Sequence, residues 1–100
     1  VDDLPDDEGM IFLNQSPQTL FFWMKNTLIP LDMVFVDQNN TVIHIEHEAQ
    51  PHDLSPRGPN KPVCSVLEIN GGLAKEKNIT VGSKIFANFE HECLQLPAKQ

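Results

Sequence analysis

Long apolar runs, clustered bases and a dense cysteine framework are all missing from this chain of 100 residues. No stretch approaches the ~18 consecutive apolar residues of a membrane-spanning helix, so no membrane insertion is expected. The seven bases are scattered at Lys25, Arg57, Lys61, Lys75, Lys77, Lys84 and Lys99. A nucleic-acid partner needs a basic footprint to neutralise phosphates, and that class is excluded here. The same scatter offers nothing to an anionic membrane surface. Two cysteines, Cys64 and Cys93, are too few for a disulfide scaffold, and neither sits in a C-x-x-C arrangement suited to redox chemistry. They read either as two free, half-buried thiols or as one bridge stitching the tail to the body. The bridge requires an oxidising compartment.

What is present fits one compact, turn-rich domain. About two-fifths of the side chains are apolar, with eight Pro, five Gly, six Phe and one Trp, and a chain of this size holds a single core. The net charge of −7 is uneven, because Asp2, Asp3, Asp6, Asp7 and Glu8 carry five of the fourteen acids. The organisation expected is an acidic leader at 1–8, one β-rich domain at 9–90 and an irregular tail at 91–100.

Apolar patterning predicts about six strands and one short helix. Residues 10–13 form a short apolar strand, and 14–17 read as a turn rich in Asn, Ser and Pro. In 19–25, Leu20, Phe22 and Met24 share one face, while Phe21, Trp23 and Lys25 share the other. Both faces are mostly apolar, so this strand is expected to be central and covered on two sides. Residues 31–36 and 41–48 form a hairpin across Asp37-Gln38-Asn39-Asn40, since Asn tolerates the positive φ such turns need. Four prolines within 51–62 forbid regular structure there, and a loop of that length is often functional. A strand at 63–69, a helix at 72–78 and a last strand at 84–89 complete the count. The fold class is mainly β (β-rich α+β): an antiparallel β-sandwich or partly closed barrel.

The run Phe22-Trp23-Met24-Lys25-Asn26-Thr27, followed by Ile29-Pro30-Leu31-Asp32-Met33-Val34-Phe35-Val36, resembles the signature of a widespread prokaryotic family, domain of unknown function 192. Glu8-Gly9-Met10-Ile11-Phe12, Pro51, Val66-Leu67-Glu68-Ile69-Asn70-Gly71-Gly72 and Ile79-Thr80-Val81-Gly82-Ser83-Lys84-Ile85 resemble further family elements in the same order. Together they cover residues 8–89. Ser83 stands where the family usually has Asp. The resemblance implies a mainly β, sandwich-like fold, frequent export, and no assigned activity. It also implies an N-terminal strand and helix that do not precede Val1. Their removal would expose a sheet edge, which predicts a homodimer, a swapped strand or a partner segment completing the sheet.

Four constellations carry candidate chemistry. Trp23, Lys25, Asn26, Thr27, Asp32 and Glu68 read functionally as a polar pocket for a small ligand, and structurally as a turn fixed by a buried pair. Asp32 lies in an apolar strand and must have a partner, expected to be Lys25 or the backbone amides of 26–28. His44, Glu46 and Glu48 share a face, with His47, His52 and Asp53 nearby. Such a set holds a metal only with a further ligand, and a solvated face is the reading taken, so no metal or cofactor is expected. Met10, Met24 and Met33 read as core fillers. No serine or cysteine carries a nucleophile signature.

The function expected is a non-enzymatic binding module, periplasmic or extracellular, for a small polar ligand such as a carbohydrate or peptide. One alternative is a hydrolase using Asp32 and Glu68 as acid–base carboxylates, which requires both to face one cleft ~5–9 Å apart. The other is a structural or assembly domain pairing through the open edge.

Overall fold

The structure, a computed structural model, describes residues 9–25 and 27–85. Four strands, β1 (Met10–Thr19), β2 (Leu31–Val36), β3 (Val42–Ala49) and β4 (Pro62–Asn70), precede one short helix, α1 (Leu73–Glu76). The strands form one antiparallel sheet in the order β1-β4-β2-β3. The fold is therefore mainly β and antiparallel with one short helix, as expected. The sheet is open, with β1 and β3 at its edges. All six residues of β2 are buried, which suits its nearly continuous apolar run.

The count is four strands among the described residues rather than six. Residues 10–13 and the expected turn at 14–17 merge into β1. Its pairing with β4 shifts register between Leu13 and Gln18, and Pro17 is tolerated at such an irregularity on an edge strand. Of the expected strand at 19–25, Thr19 ends β1 opposite Pro62, and residues 20–25 do not join the sheet, since their only β contact is an isolated bridge between Phe22 and Arg57. Lys84 likewise makes only a bridge to Thr41. Residues 86–89 of the expected last strand, the leader at 1–8 and the tail at 91–100 lie outside the described residues.

The β2–β3 hairpin follows the sequence closely. The Asp37 carboxylate accepts the N–H groups of Asn39 and Thr41 at 2.8 and 3.0 Å, and Asn40 takes a φ of 60°. Cys64 is buried in β4 and disulfide-bonded, so it is not a free thiol. Cys93 lies outside the described residues.

Each face of the sheet carries its own core. On one, Met24, Leu31, Met33, Phe35, Ala49, Val63 and Val66 pack with Leu20, Phe22 and Ile29. On the other, Val34, Val36, Val42 and Ile69 pack beneath Leu73 and Ala74 of α1, with Ile79 and Ile85 alongside. Burial of side chains this size stabilises by ~1.5–3 kcal/mol each, so both coverings, the 20–30 segment and α1, are held by apolar contact.

Candidate functional site

Strand register decides which candidate residues meet. Asp32 lies opposite Ile69, and Met33 lies opposite Glu68. Directly opposed residues share a face, and successive residues alternate. Asp32 and Glu68 therefore project from opposite faces of the sheet. This corrects the acid–base alternative, because the two carboxylates cannot flank one substrate.

Asp32 is fully buried under α1. Its Oδ1 accepts the N–H groups of Glu48 at 2.8 Å and Gly72 at 3.1 Å, and its Oδ2 accepts that of Ala74 at 2.8 Å. These donors have a common origin. Between the Leu31↔Ala49 and Met33↔Glu46 pairs, β3 holds one residue more than β2, and a bulge leaves an amide outside the ladder. The first amides of a helix also lack intrahelical acceptors. One carboxylate satisfies both sets and ties β2 to β3 and α1. The expected partners, Lys25 or the amides of 26–28, are replaced by amides distant in sequence. Gly72, at φ 89°, supplies the left-handed turn into α1, and its N–H is taken by Asp32, so no anion cradle forms there.

Glu68 sits on the other face between Met10 and Met33 by register. It is only 6% exposed. Among the described residues no hydrogen bond or ion pair reaches its carboxylate, and burial pushes its pKa above the ordinary glutamate value.

Over that same face lies a ribbon of two irregular segments, 20–24 and 52–58. Phe22 and Arg57 exchange N–H···O=C bonds of 2.8 and 2.9 Å, the Met24 N–H donates to the Asp53 carbonyl at 3.0 Å, and the His52 N–H donates to the Met24 carbonyl at 2.7 Å. Gly58 permits the close approach, since a Cβ there would stand 2.3 Å from the Leu20 carbonyl oxygen. Leu20, Phe22 and Met24 point into the core, as the alternation predicts. Their neighbours are not covered, contrary to expectation: Trp23 is 58% exposed and Phe21 48%, with Leu54 of the facing segment at 59%. Lys25 is exposed and Thr27 buried, while Asn26 lies outside the described residues.

Arg57, which sequence reasoning treated only as a scattered base, braces the ribbon. Its guanidinium pairs with Asp53 and, at 3.2 Å, with Glu46, which in turn pairs with His44. Asp53 and then Glu46 hold the Arg57 pKa above its usual value. The Ser55 N–H and then Arg57 bring Asp53 down to about 2. The i,i+4 spacing of Asp53 and Arg57 was the available signal for this pair. Aromatic contacts run beneath it, from Phe12 to Phe22 at 5.0 Å, Phe22 to Phe35 at 6.0 Å and Phe35 to His44 at 5.6 Å.

His44 and Glu46 share a face, as expected. Glu48 is diverted by the bulge, with φ 49°. Among the described residues no three His, Cys, Asp or Glu side chains are placed to hold a metal ion. Met24 and Met33 lie in the core.

The sequence profile of the DUF192 family, described as an uncharacterized ACR, matches residues 1–87. A protein of unknown function from Novosphingobium aromaticivorans DSM 12444 is similar at 48% identity and a TM-score of 0.79, covering 82% of this chain and 59% of its own. A Sinorhizobium meliloti 1021 protein, described as a candidate transcription regulator, is similar at 34% identity and a TM-score of 0.79, with 82% and 64% covered. The chain thus spans about three-fifths of the length of each. No curated protein matches it.

Proposed function

The chain belongs to the DUF192 family, and within that uncharacterised family we propose that this domain is a non-enzymatic, extracytoplasmic binding module. Its ligand, a small carbohydrate or peptide, docks on the outer surface of the ribbon at Trp23. The observation that carries this reading is an indole 58% exposed on a segment whose neighbouring side chains are locked into the core. An aromatic ring fixed in this way offers a large contact area at little entropic cost. Phe21 and Lys25 stand on the same outer side and extend the platform. Asp32 is spent on three backbone amides, which favours binding over acid–base chemistry. The bonded Cys64 supports an oxidising compartment. The regulator description of the Sinorhizobium meliloti relative is not carried over, because the seven bases form no footprint for DNA. Screening the native chain and Trp23→Ala against glycan and peptide arrays tests the reading. Ligands retained by the first and lost by the second are expected. Equal retention by both overturns the role of Trp23.

A second reading, assembly through a sheet edge, rests on β1. This edge strand pairs only with β4 among the described residues, and Ile11, Phe12 and Leu13 are 39, 41 and 44% exposed. A second copy or a partner segment would bury them. Light scattering at increasing concentration is expected to show a mass above one chain if a second copy does so. A constant single-chain mass removes the homodimer.

A further inference from the structure

On the side of the sheet that α1 covers, a cleft of about 410 Å³ opens between β3 and the chain that follows the helix. Ile45, Ile79 and Val81 supply apolar lining, and His47, Lys75 and Asn78 stand around it. His44, paired with Glu46 of the Arg57 brace, also lines it, but no residue of segments 20–24 and 52–58 does. We infer that this cleft binds a small amphipathic carboxylate, with an alkyl or aryl body against Ile45, Ile79 and Val81 and its anionic head between Lys75 and His47.

Three observations converge on that chemistry. Among the described residues, neither the Lys75 ammonium nor the His47 imidazole makes a hydrogen bond or an ion pair, in a chain whose acids outnumber its bases two to one. Val81 is 64% exposed, an uncovered apolar side chain at the mouth of the cleft. The far wall is also built in advance. The Ile79 N–H donates to the Ala74 carbonyl at 2.8 Å and the Asn78 N–H to that of Lys75 at 3.1 Å, with Asn78 at φ 58°, which is the paired C-terminal closure of a helix. Beyond it, the Thr80 N–H donates to Ser83 Oγ at 2.9 Å, and the Ser83 N–H returns to the Thr80 carbonyl at 2.9 Å. A preformed, partly apolar cleft with a few convergent polar groups is the usual form of a small-molecule site.

The test titrates hexanoate, with hexanamide as the neutral control, into the native chain and follows the methyl resonances of Ile45, Ile79 and Val81. Saturable shifts with hexanoate are expected, with affinity about tenfold weaker for hexanamide and for Lys75→Gln, the scale of one lost charge-assisted contact. Trp23→Ala is expected to leave the titration unchanged, which separates this site from the ribbon. Thermal melts confirm that Lys75→Gln remains folded. Unmoved methyl resonances, or equal responses to hexanoate and hexanamide, overturn the proposal. So does a Lys75→Gln titration that matches the native one.

Discussion

The two faces of the sheet each bury a carboxylate, and they treat it in opposite ways. Under α1, Asp32 accepts three backbone N–H groups and acts as the joint between two strands and a helix. Under the ribbon, Glu68 has no such partner among the described residues, and burial alone raises its pKa. Buried charge is costly unless it is met by donors. The α1 face therefore spends its carboxylate on architecture. The ribbon face carries one that no hydrogen bond or ion pair meets among the described residues, together with the exposed Trp23 and the Arg57 chain. The difference is that one side of the sheet is tied together through its carboxylate, while the other sets Glu68, without such donors among the described residues, beneath the ribbon on which the proposed Trp23 site stands.

The sharpest way to break this contrast is Asp32→Ala. Leaving buried donors without an acceptor costs ~1–3 kcal/mol each, so a loss on the order of 3–5 kcal/mol in urea denaturation is expected, enough to threaten folding. Asp32→Asn keeps one acceptor oxygen and is expected to cost about 1–3 kcal/mol, which keeps the claim measurable if the alanine variant fails to fold. On the ribbon side, Gly58→Ala forces a methyl group against the backbone of Leu20, where no flexible end can yield. A loss of ~1–3 kcal/mol, typical of overpacking, is expected.

Glu68→Gln should act with the opposite sign to the Asp32 variants. A carboxyl whose folded pKa is raised contributes stability below its unfolded pKa, and that contribution is lost as pH rises through the folded value. The glutamine variant is thus expected to melt higher than the native chain at neutral pH and to flatten the decline above the ordinary carboxylate range. Asp53 runs the other way: the stability that the Ser55 N–H and then Arg57 give its carboxylate is present above the ordinary aspartate range and is lost as pH falls below it toward about 2. Melting curves of the native chain and Glu68→Gln from pH 4 to 8 check the sign for Glu68, and extension of the native curve to about pH 2 checks it for Asp53. The smallest effect is expected from Trp23→Ala, within ~0.5 kcal/mol of the native stability, since an exposed side chain supports little.

Local features were legible in the sequence, and non-local ones were not. The β2–β3 hairpin, the strand at Pro62–Asn70 and α1 follow from apolar runs bounded by Asn, Pro and Gly. The inward set Leu20, Phe22 and Met24 follows from alternation alone. The same aromatic-rich segment looked like a central strand because β-propensity reports suitability for a half-buried surface, not a place in a sheet. Pro17 suggested a turn where an edge irregularity absorbs it. The partners of Asp32 lie 16 to 42 residues away, so only the demand for partners was readable. The separation of Asp32 from Glu68 depends on the register of β4 against β2, which no local pattern encodes.

The recognition role is tested most directly by the indole itself. Trp23 is the only tryptophan and the chain has no tyrosine, so intrinsic emission reports this one position. Titration with a ligand identified on the arrays is expected to shift Trp23 emission to the blue, with a midpoint matching the calorimetric dissociation constant. Calorimetric binding without any change in that emission would contradict the assignment of recognition to the ribbon.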